Sequence, residues 1–321
     1  MDRPNIVIVT PALADANNGN WQTAQRWAHL LAPAYRVRLA ASWDGGHGRD
    51  EAVLIALHAR RSAPSVACWQ AQRPGAPLVV VLTGTDLYRD IAQDRTAQAS
   101  LQAAQRLVVL NTLGAQALPL DCQAKTHVLL QSCSAYQPLA KTKRHLRALM
   151  VGHLRDEKSP QTYFDATRLL TRRTDILLDH VGNALDPALG AAATALASTC
   201  PTYRWLGGLP HLQARRRIQA AHVLVHPSRM EGGAHVVTEA LRSGTAVLAS
   251  RIDGNVGLLG EDYGGYFALG DAVGLATLLQ RLRDEPAMLA HLLVQCAARA
   301  PLFAPAQERA TLLAVLAELL D

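Results

Sequence analysis

Residues 226–250 read HPSRMEGGAHVVTEALRSGTAVLAS. An apolar run at 223–226 enters a loop with one proline and two glycines. A helix fits 234–243, and a second apolar run follows at 246–249. Strand, loop, helix and strand in this order make one repeat of a parallel α/β sheet. Gly232 and Gly233 carry no Cβ, so backbone amides there can approach a ligand closely. The first turn of the helix, with Ala234 and Val236, leaves N–H groups and a positive dipole end that attract a phosphate. Val236, Val237, Ala240 and Leu241 form the apolar face. Glu239 lies at the edge of that face, and Glu231 stands eight positions earlier in the loop, an E-x7-E spacing. A carboxylate at Glu239 can accept two hydrogen bonds from a ribose diol, and Glu231 can do the same for sugar hydroxyls. The plainer alternative makes Glu231 a dipole partner and Glu239 a solvated helix residue. The flanking HPS, the two glycines and SGTAVLAS favour the ligand reading.

The same alternation runs outward through the chain. Strands fit residues 6–10, 37–41, 52–57, 78–82, 107–110 and 128–130, with helices at 21–31 and 91–104. A second series has strands at 149–151, 176–181, 203–206, 223–226 and 246–249. Its helices fit 161–171, 187–197, 212–220, 234–243 and 273–284, and the last stretch is helical and rich in Ala and Leu. The strands are almost continuously apolar, as parallel strands buried on both faces must be. The fold class is therefore α/β, with two doubly wound, Rossmann-like domains, residues 1–140 and 141–300, joined near 136–147. A chain of 321 residues suits two domains of ~150 residues. In such folds ligands bind beyond the carboxyl ends of the strands. The polar and glycine-rich clusters fall there: residues 17–20, 83–86, Asn111, 152–158, 207–210 (with Gly207 and Leu209) and 227–233. One cleft lined by both sets of loops is the simplest expectation.

Residues 151–160 read VGHLRDEKSP. Arg155 and Lys158 leave a turn at Gly152 three residues apart, a spacing that lets both point at one diphosphate. Their alternative is surface pairing with Asp156 and Glu157. A diphosphate leaving group needs such neutralisation, because charge grows on it as its bond to carbon breaks. Residues 14–26, ADANNGNWQTAQR, place Gly19 and Asn20 before a helix that carries Thr23 and Arg26; an Asn-capped helix is the alternative. Residues 81–88, VLTGTDLY, place Thr85 and Asp86 after a strand. Asp86 is a candidate base or sugar-orienting carboxylate, or simply a helix cap.

Composition excludes other classes. Charged residues are 18% of the chain and the net charge is +6, with no dense basic arm, so nucleic-acid binding is not expected. The five cysteines include no C-x-x-C, and the twelve histidines show no metal-ligand spacing, so no metal and no disulfide framework are expected. A reducing cytoplasm fits this cysteine usage. No stretch reaches ~18 uncharged apolar residues, so no membrane insertion is expected. No G-x-S-x-G, P-loop or G-x-G-x-x-G is present.

These motifs resemble the GT-B glycosyltransferases of the E-x7-E group, which includes sucrose, trehalose-phosphate and mycothiol synthases. The resemblance implies a UDP-sugar substrate and no metal or other cofactor. It implies that Arg155 and Lys158 hold the diphosphate, Glu231 contacts the sugar and Glu239 holds the ribose. Gly232, Gly233 and Ala234 would offer amides, the 207–211 stretch would flank the base, and Gly19 and Asn20 would lie near phosphate and acceptor. It also implies that the helix at 301–321 returns to the first domain. NGNWQTAQRWAHLL, VVVLTGTDLYRDI and PSRMEGGAHVVTEA are similar to the selenosugar synthases within this group. That resemblance implies selenophosphate as acceptor. Asn20, Thr23 and Arg26, which the family motifs do not fix, are the candidates for its phosphate. Common relatives carry His-Asp after the fourth strand; this chain has Thr85-Asp86, which favours an acceptor that is already ionised. The open alternatives are an ordinary O- or S-glycoside-forming enzyme and a non-catalytic nucleotide-sugar binder. The intact basic pair and carboxylates favour catalysis. The oligomeric state is not legible.

Overall fold

A computed structural model of the chain describes residues 3–11, 19–46 and 50–320. It has two compact units. The first comprises Met1–Ser132, Glu231–Gly233 and Pro305–Asp321; the second comprises Cys133–Met230 and Ala234–Ala304. The division falls a few residues before the expected 140, and the closing helix groups with the first unit.

The first unit contains β1 (Asn5–Val9), α1 (Gly19–Leu31), β2 (Arg36–Ala40), β3 (Glu51–Leu57), α2 (Ala63–Gln72) and β4 (Leu78–Leu82). After β4 come α3 (Ile91–Gln93), α4 (Arg95–Ala103), β5 (Arg106–Val109), α5 (Leu120–Gln123) and β6 (Thr126–Val128). Its six parallel strands run in the order β2-β1-β3-β4-β5-β6. Period-two alternation sends side chains to opposite faces. Ile6, Ile8, Val53, Ile55, Val79 and Val81 meet Trp27 on one face, and Val7, Val9, Leu54, Ala56, Val80 and Leu82 meet Trp69 and Leu87 on the other. Burial on both faces is why these strands read as unbroken apolar runs.

The second unit contains β7 (Leu146–Val151), α6 (Pro160–Leu169), β8 (Ile176–Val181), α7 (Pro187–Thr199), β9 (Tyr203–Trp205) and α8 (His211–Ala220). Then follow β10 (Val223–His226), α9 (His235–Leu241), β11 (Ala246–Ser250), α10 (Asp253–Leu259), β12 (Tyr266–Phe267), α11 (Ala272–Asp284) and α12 (Pro286–Arg299). Its order is β12-β11-β10-β7-β8-β9, all parallel. Read from β9, that is 3-2-1-4-5-6, the dinucleotide-fold order, whereas the first unit has the flavodoxin-like order. The last helix, α13 (Pro305–Leu320), belongs to the first unit. Leu312, Val315 and Leu316 join Trp27 in its core.

Four elements escaped the sequence pattern: α2, the short α5, α10 and the two-residue β12. The α10 stretch, DGNVGLL, is poor in helix formers, yet six of its residues are buried; tertiary packing overrides propensity there. The expected helix at 91–104 is broken at Asp94, whose side chain caps α4 by accepting from Thr96 N and Ala97 N. It is preceded by a π-helical turn at Asp86–Asp90. Among the described residues no single helix is long and apolar enough to cross a membrane.

Candidate functional site

Adjacent strands β7 and β10 pair Ala148 with Val223 and Met150 with Val225. They lie at the point where the strand order reverses, so the loops leaving their carboxyl ends form the crevice of this sheet. Those loops are 152–158 and 227–233, the two motifs singled out from the sequence.

The first loop is built on a glycine contact. Gly152 N donates to Val181 O at 2.9 Å. A Cβ on Gly182 would stand 1.9 Å from Gly152 O, so only glycine fits there. His180 Nε2 lies 3.2 Å from the same carbonyl, and its Nδ1 lies 3.2 Å from Tyr203 Oη. A neutral ring that donates from Nε2 and accepts at Nδ1 satisfies both contacts. Burial pushes the His180 pKa down to about 4, against a smaller opposing effect of the Gly152 carbonyl. Beyond the turn, Arg155 is extended, Asp156–Lys158 forms one 3-10 turn, and Ser159 is left-handed at φ 47°. Arg155 Nε is buried with no hydrogen-bond partner; the nearest Glu157 oxygen is 3.9 Å away. The surface pairing weighed for this arginine is therefore loose. Arg229 N, in the second loop, donates to Glu157 O at 2.9 Å and fixes the two loops to each other.

The second loop is held from below. Ser250 Oγ donates to Ser228 O at 2.6 Å, and buried Asn255 donates to Ser250 O at 2.9 Å. The stretch Glu231–Gly233 groups with the first unit. Asn111 Nδ2 donates to Gly232 O at 2.8 Å and to Tyr88 Oη at 3.0 Å. A Cβ on Gly232 would stand 2.4 Å from Thr83 C. The glycine is thus required by close packing, a role the sequence did not reveal. Glu231 is buried.

Ala234 precedes α9, which has only seven residues, and Val236 lies half-buried in its first turn. Glu239 is 2% exposed, not solvated. His211 Nε2 lies 2.6 Å from its Oε1, and His235 Nδ1 lies 3.5 Å from the same oxygen. Burial pushes the Glu239 carboxyl up, but hydrogen bonds and charge from the two histidines outweigh it and hold the pKa down to about 2. The group is ionised at neutral pH. These three residues are also the one cluster among the described residues able to hold a metal ion. Gly207 is left-handed at φ 65° and accepts from Gly182 N at 2.8 Å; Leu209 is half-buried beyond it.

In the first unit the candidates divide. Gly19 opens α1 and accepts from Thr23 Oγ1 at 2.8 Å; Asn20 follows, half-buried. Residues 17 and 18 lie outside the described residues. Buried Thr23 has the Gln131 side chain 2.6 Å from its hydroxyl. Arg26 Nε contacts both oxygens of Glu308, at 2.9 and 3.1 Å. Glu308 also accepts from Trp27 Nε1 and Ser132 N. Arg26 therefore ties α1 to α13, which limits what it can offer an acceptor phosphate. Asp86 is fully buried and accepts from Thr83 N, Gly84 N and Ala59 N, each at 2.9 Å. A carboxylate so enclosed holds a turn, as a cap does, and is poorly placed to act as a base. Thr85 Oγ1 lies 3.2 Å from Nε2 of His58, a buried residue in the left-handed region at φ 74°. Sequence reasoning missed His58, His180, Gly182 and Glu308, and it placed His211 beside the base without its contact to Glu239. The NAL that follows Gly182 and the LPHL that follows Gly208 carry no signal that could have found them.

Residues 136–292 match the family model described as "Glycosyl transferases group 1". No curated protein matches the chain by sequence. Among solved structures, sucrose-phosphate synthase from Thermosynechococcus elongatus has a TM-score of 0.79 at 17% identity, covering 99% of each chain. HepE of Anabaena, solved with UDP and glucose, has a TM-score of 0.76 at 14% identity, covering 98% of this chain and all of the other. A TarM variant of S. aureus has a TM-score of 0.67 at 10% identity, covering 82% of this chain; the chain spans 55% of TarM's length. The fold is GT-B, and the second unit with its two loops lies largely within the stretch that matches the group 1 glycosyl transferases.

Proposed function

We propose that this protein is a glycosyltransferase that takes a sugar, N-acetylglucosamine or glucose, from its UDP derivative and transfers it to selenophosphate. The observation that carries the donor half is the pair of bonded loops at the carboxyl ends of β7 and β10. They bring a glycine turn bearing Arg155 and Lys158 together with the loop that leads to the buried, ionised Glu239. In this reading Arg155 and Lys158 neutralise the diphosphate as it leaves, and the turn at Gly152 sets their direction. Glu239 accepts from the ribose hydroxyls, Glu231 contacts the sugar, and Gly207 and Leu209 flank the base. HepE, of the same fold, has been solved with UDP and with UDP-glucose, which supports this donor class.

The acceptor half rests on the similarity of residues 18–31, 79–91 and 227–240 to selenosugar synthases. It also rests on Thr85 standing where relatives have histidine and on the enclosure of Asp86. An alcohol acceptor needs a base; a selenium anion is already nucleophilic. Selenium bonds to the anomeric carbon as the bond from that carbon to the diphosphate oxygen breaks, and UDP leaves with the electron pair. Incubation with UDP-N-acetylglucosamine or UDP-glucose and selenophosphate should give UDP and a selenium-bearing sugar in equal amounts by mass spectrometry. UDP release with the sugar found only on a thiol or polyol would refute the acceptor and keep the donor. Absence of UDP release with any acceptor would refute both.

A further inference from the structure

We propose that His211, His235 and Glu239 form a binding site for a divalent transition-metal ion of the zinc class. Two imidazoles and one carboxylate are the donor set such ions prefer, whereas calcium and magnesium take oxygen ligands. The three donor atoms lie within 4.8 Å of one another. His235 and Glu239 stand one helical turn apart on α9, so both reach the same point. His211, the first residue of α8, approaches from the neighbouring helix.

The spacing suits a cation. Ligands around a tetrahedral ion at about 2.0–2.1 Å lie about 3.3 Å apart. His235 Nδ1 is 3.5 Å from Glu239 Oε1, close to that value. His211 Nε2 is 2.6 Å from the same oxygen, with a proton between them. On binding, the ring proton moves to Nδ1 and frees the Nε2 lone pair for the cation, and the His211 ring must retreat by less than an ångström. Its side chain is 48% exposed, so the retreat meets little packing. The carboxylate is buried, so water screens its attraction for a cation less than it would at the surface. Three protein ligands leave one position open to water.

The site stands on α8 and α9 alone. Its consequence rests on the donor reading above: the cation and the ribose would compete for Glu239. Titration of the full chain with Co²⁺ should produce the visible absorption of a low-coordinate cobalt site at one equivalent, and Zn²⁺ should displace it. His235→Ala and Glu239→Gln should each weaken binding by about tenfold or more, with far-ultraviolet circular dichroism showing that the variants fold. No visible band, or variants that bind as the parent does, would overturn the site; the latter result would put the ion on other histidines or cysteines. Added UDP should weaken Co²⁺ binding. A cobalt band that UDP leaves untouched would remove Glu239 from the nucleotide while the metal site stood.

Discussion

His180 makes the second unit acid-sensitive in a calculable way. Its ring is fully buried against Tyr163, Phe164 and Tyr203, and burial lowers its pKa from 6.5 to about 4. Above pH 6.5 the ring is neutral in both the folded and the unfolded chain, and folding is indifferent to it. Below 6.5 the unfolded ring takes a proton and the folded ring refuses it until about pH 4. Stability therefore falls as pH falls through that interval. At about 1.4 kcal/mol per pH unit, the loss between pH 7 and pH 4 comes to about 3 kcal/mol.

Other histidines with pKa values lowered by burial, among them His153 and His222, act in the same direction as the pH falls. A comparison with His180→Gln isolates the His180 share, because glutamine does not titrate and its removal of the imidazole is a constant offset. The chain has two units, so the readout must be local. Hydrogen exchange of the β7 and β8 amides through urea titrations at pH 7 and pH 4 provides it. The parent should lose about 3 kcal/mol more than the variant over that range. A difference under about 1 kcal/mol would show that the folded ring accepts a proton readily, and that the Gly152 turn is not held by a neutral imidazole.

Four further outcomes follow from the same contacts. Asp86→Asn should cost about 2–4 kcal/mol in urea unfolding, since a charged acceptor of three backbone amides is lost; an unchanged midpoint with lost turnover would restore Asp86 as a base. Gly182→Ala should cost about 2 kcal/mol or more, because its Cβ must displace the Gly152 carbonyl, and calorimetry should find UDP affinity reduced with it. Glu308→Gln should lower first-unit stability by about 3 kcal/mol by leaving the Arg26 charge poorly matched, seen as earlier exchange of α1 amides. Glu239→Gln should weaken UDP binding about tenfold or more in calorimetry, the loss of a charged double acceptor; unchanged affinity would place the ribose elsewhere.

The fold was legible because parallel strands buried on both faces must be apolar throughout. Residues 78–82 (LVVVL) and 223–226 (VLVH) admit little else, and all nine residues are buried. The loops were legible because glycine, proline and charge interrupt those runs. What escaped were long-range partners. Nothing near Arg26 announces that Glu308, 282 positions later, will take its guanidinium. Asp86 read as base or cap with equal right, since three amide contacts, one of them from Ala59, exist only in the folded chain.

The supports of the candidate site share this property and explain why it is confined to one end of the sheet. Parallel pairing brings the end of β8 beside the end of β7, with β9 on its far side. The side chain and carbonyl that fix Gly152 therefore come from His180 and Val181, and His180 stands 28 positions from Gly152 along the chain. His211 reaches Glu239 across the same 28-residue distance in sequence. A histidine in a polar stretch carries no mark of such a partner, because the chemistry lies in the pairing and not in the residue. The E-x7-E spacing locates one carboxylate relative to the other. The two histidines on Glu239 decide its charge, and so decide whether that carboxylate can serve a diol, a cation or each in turn.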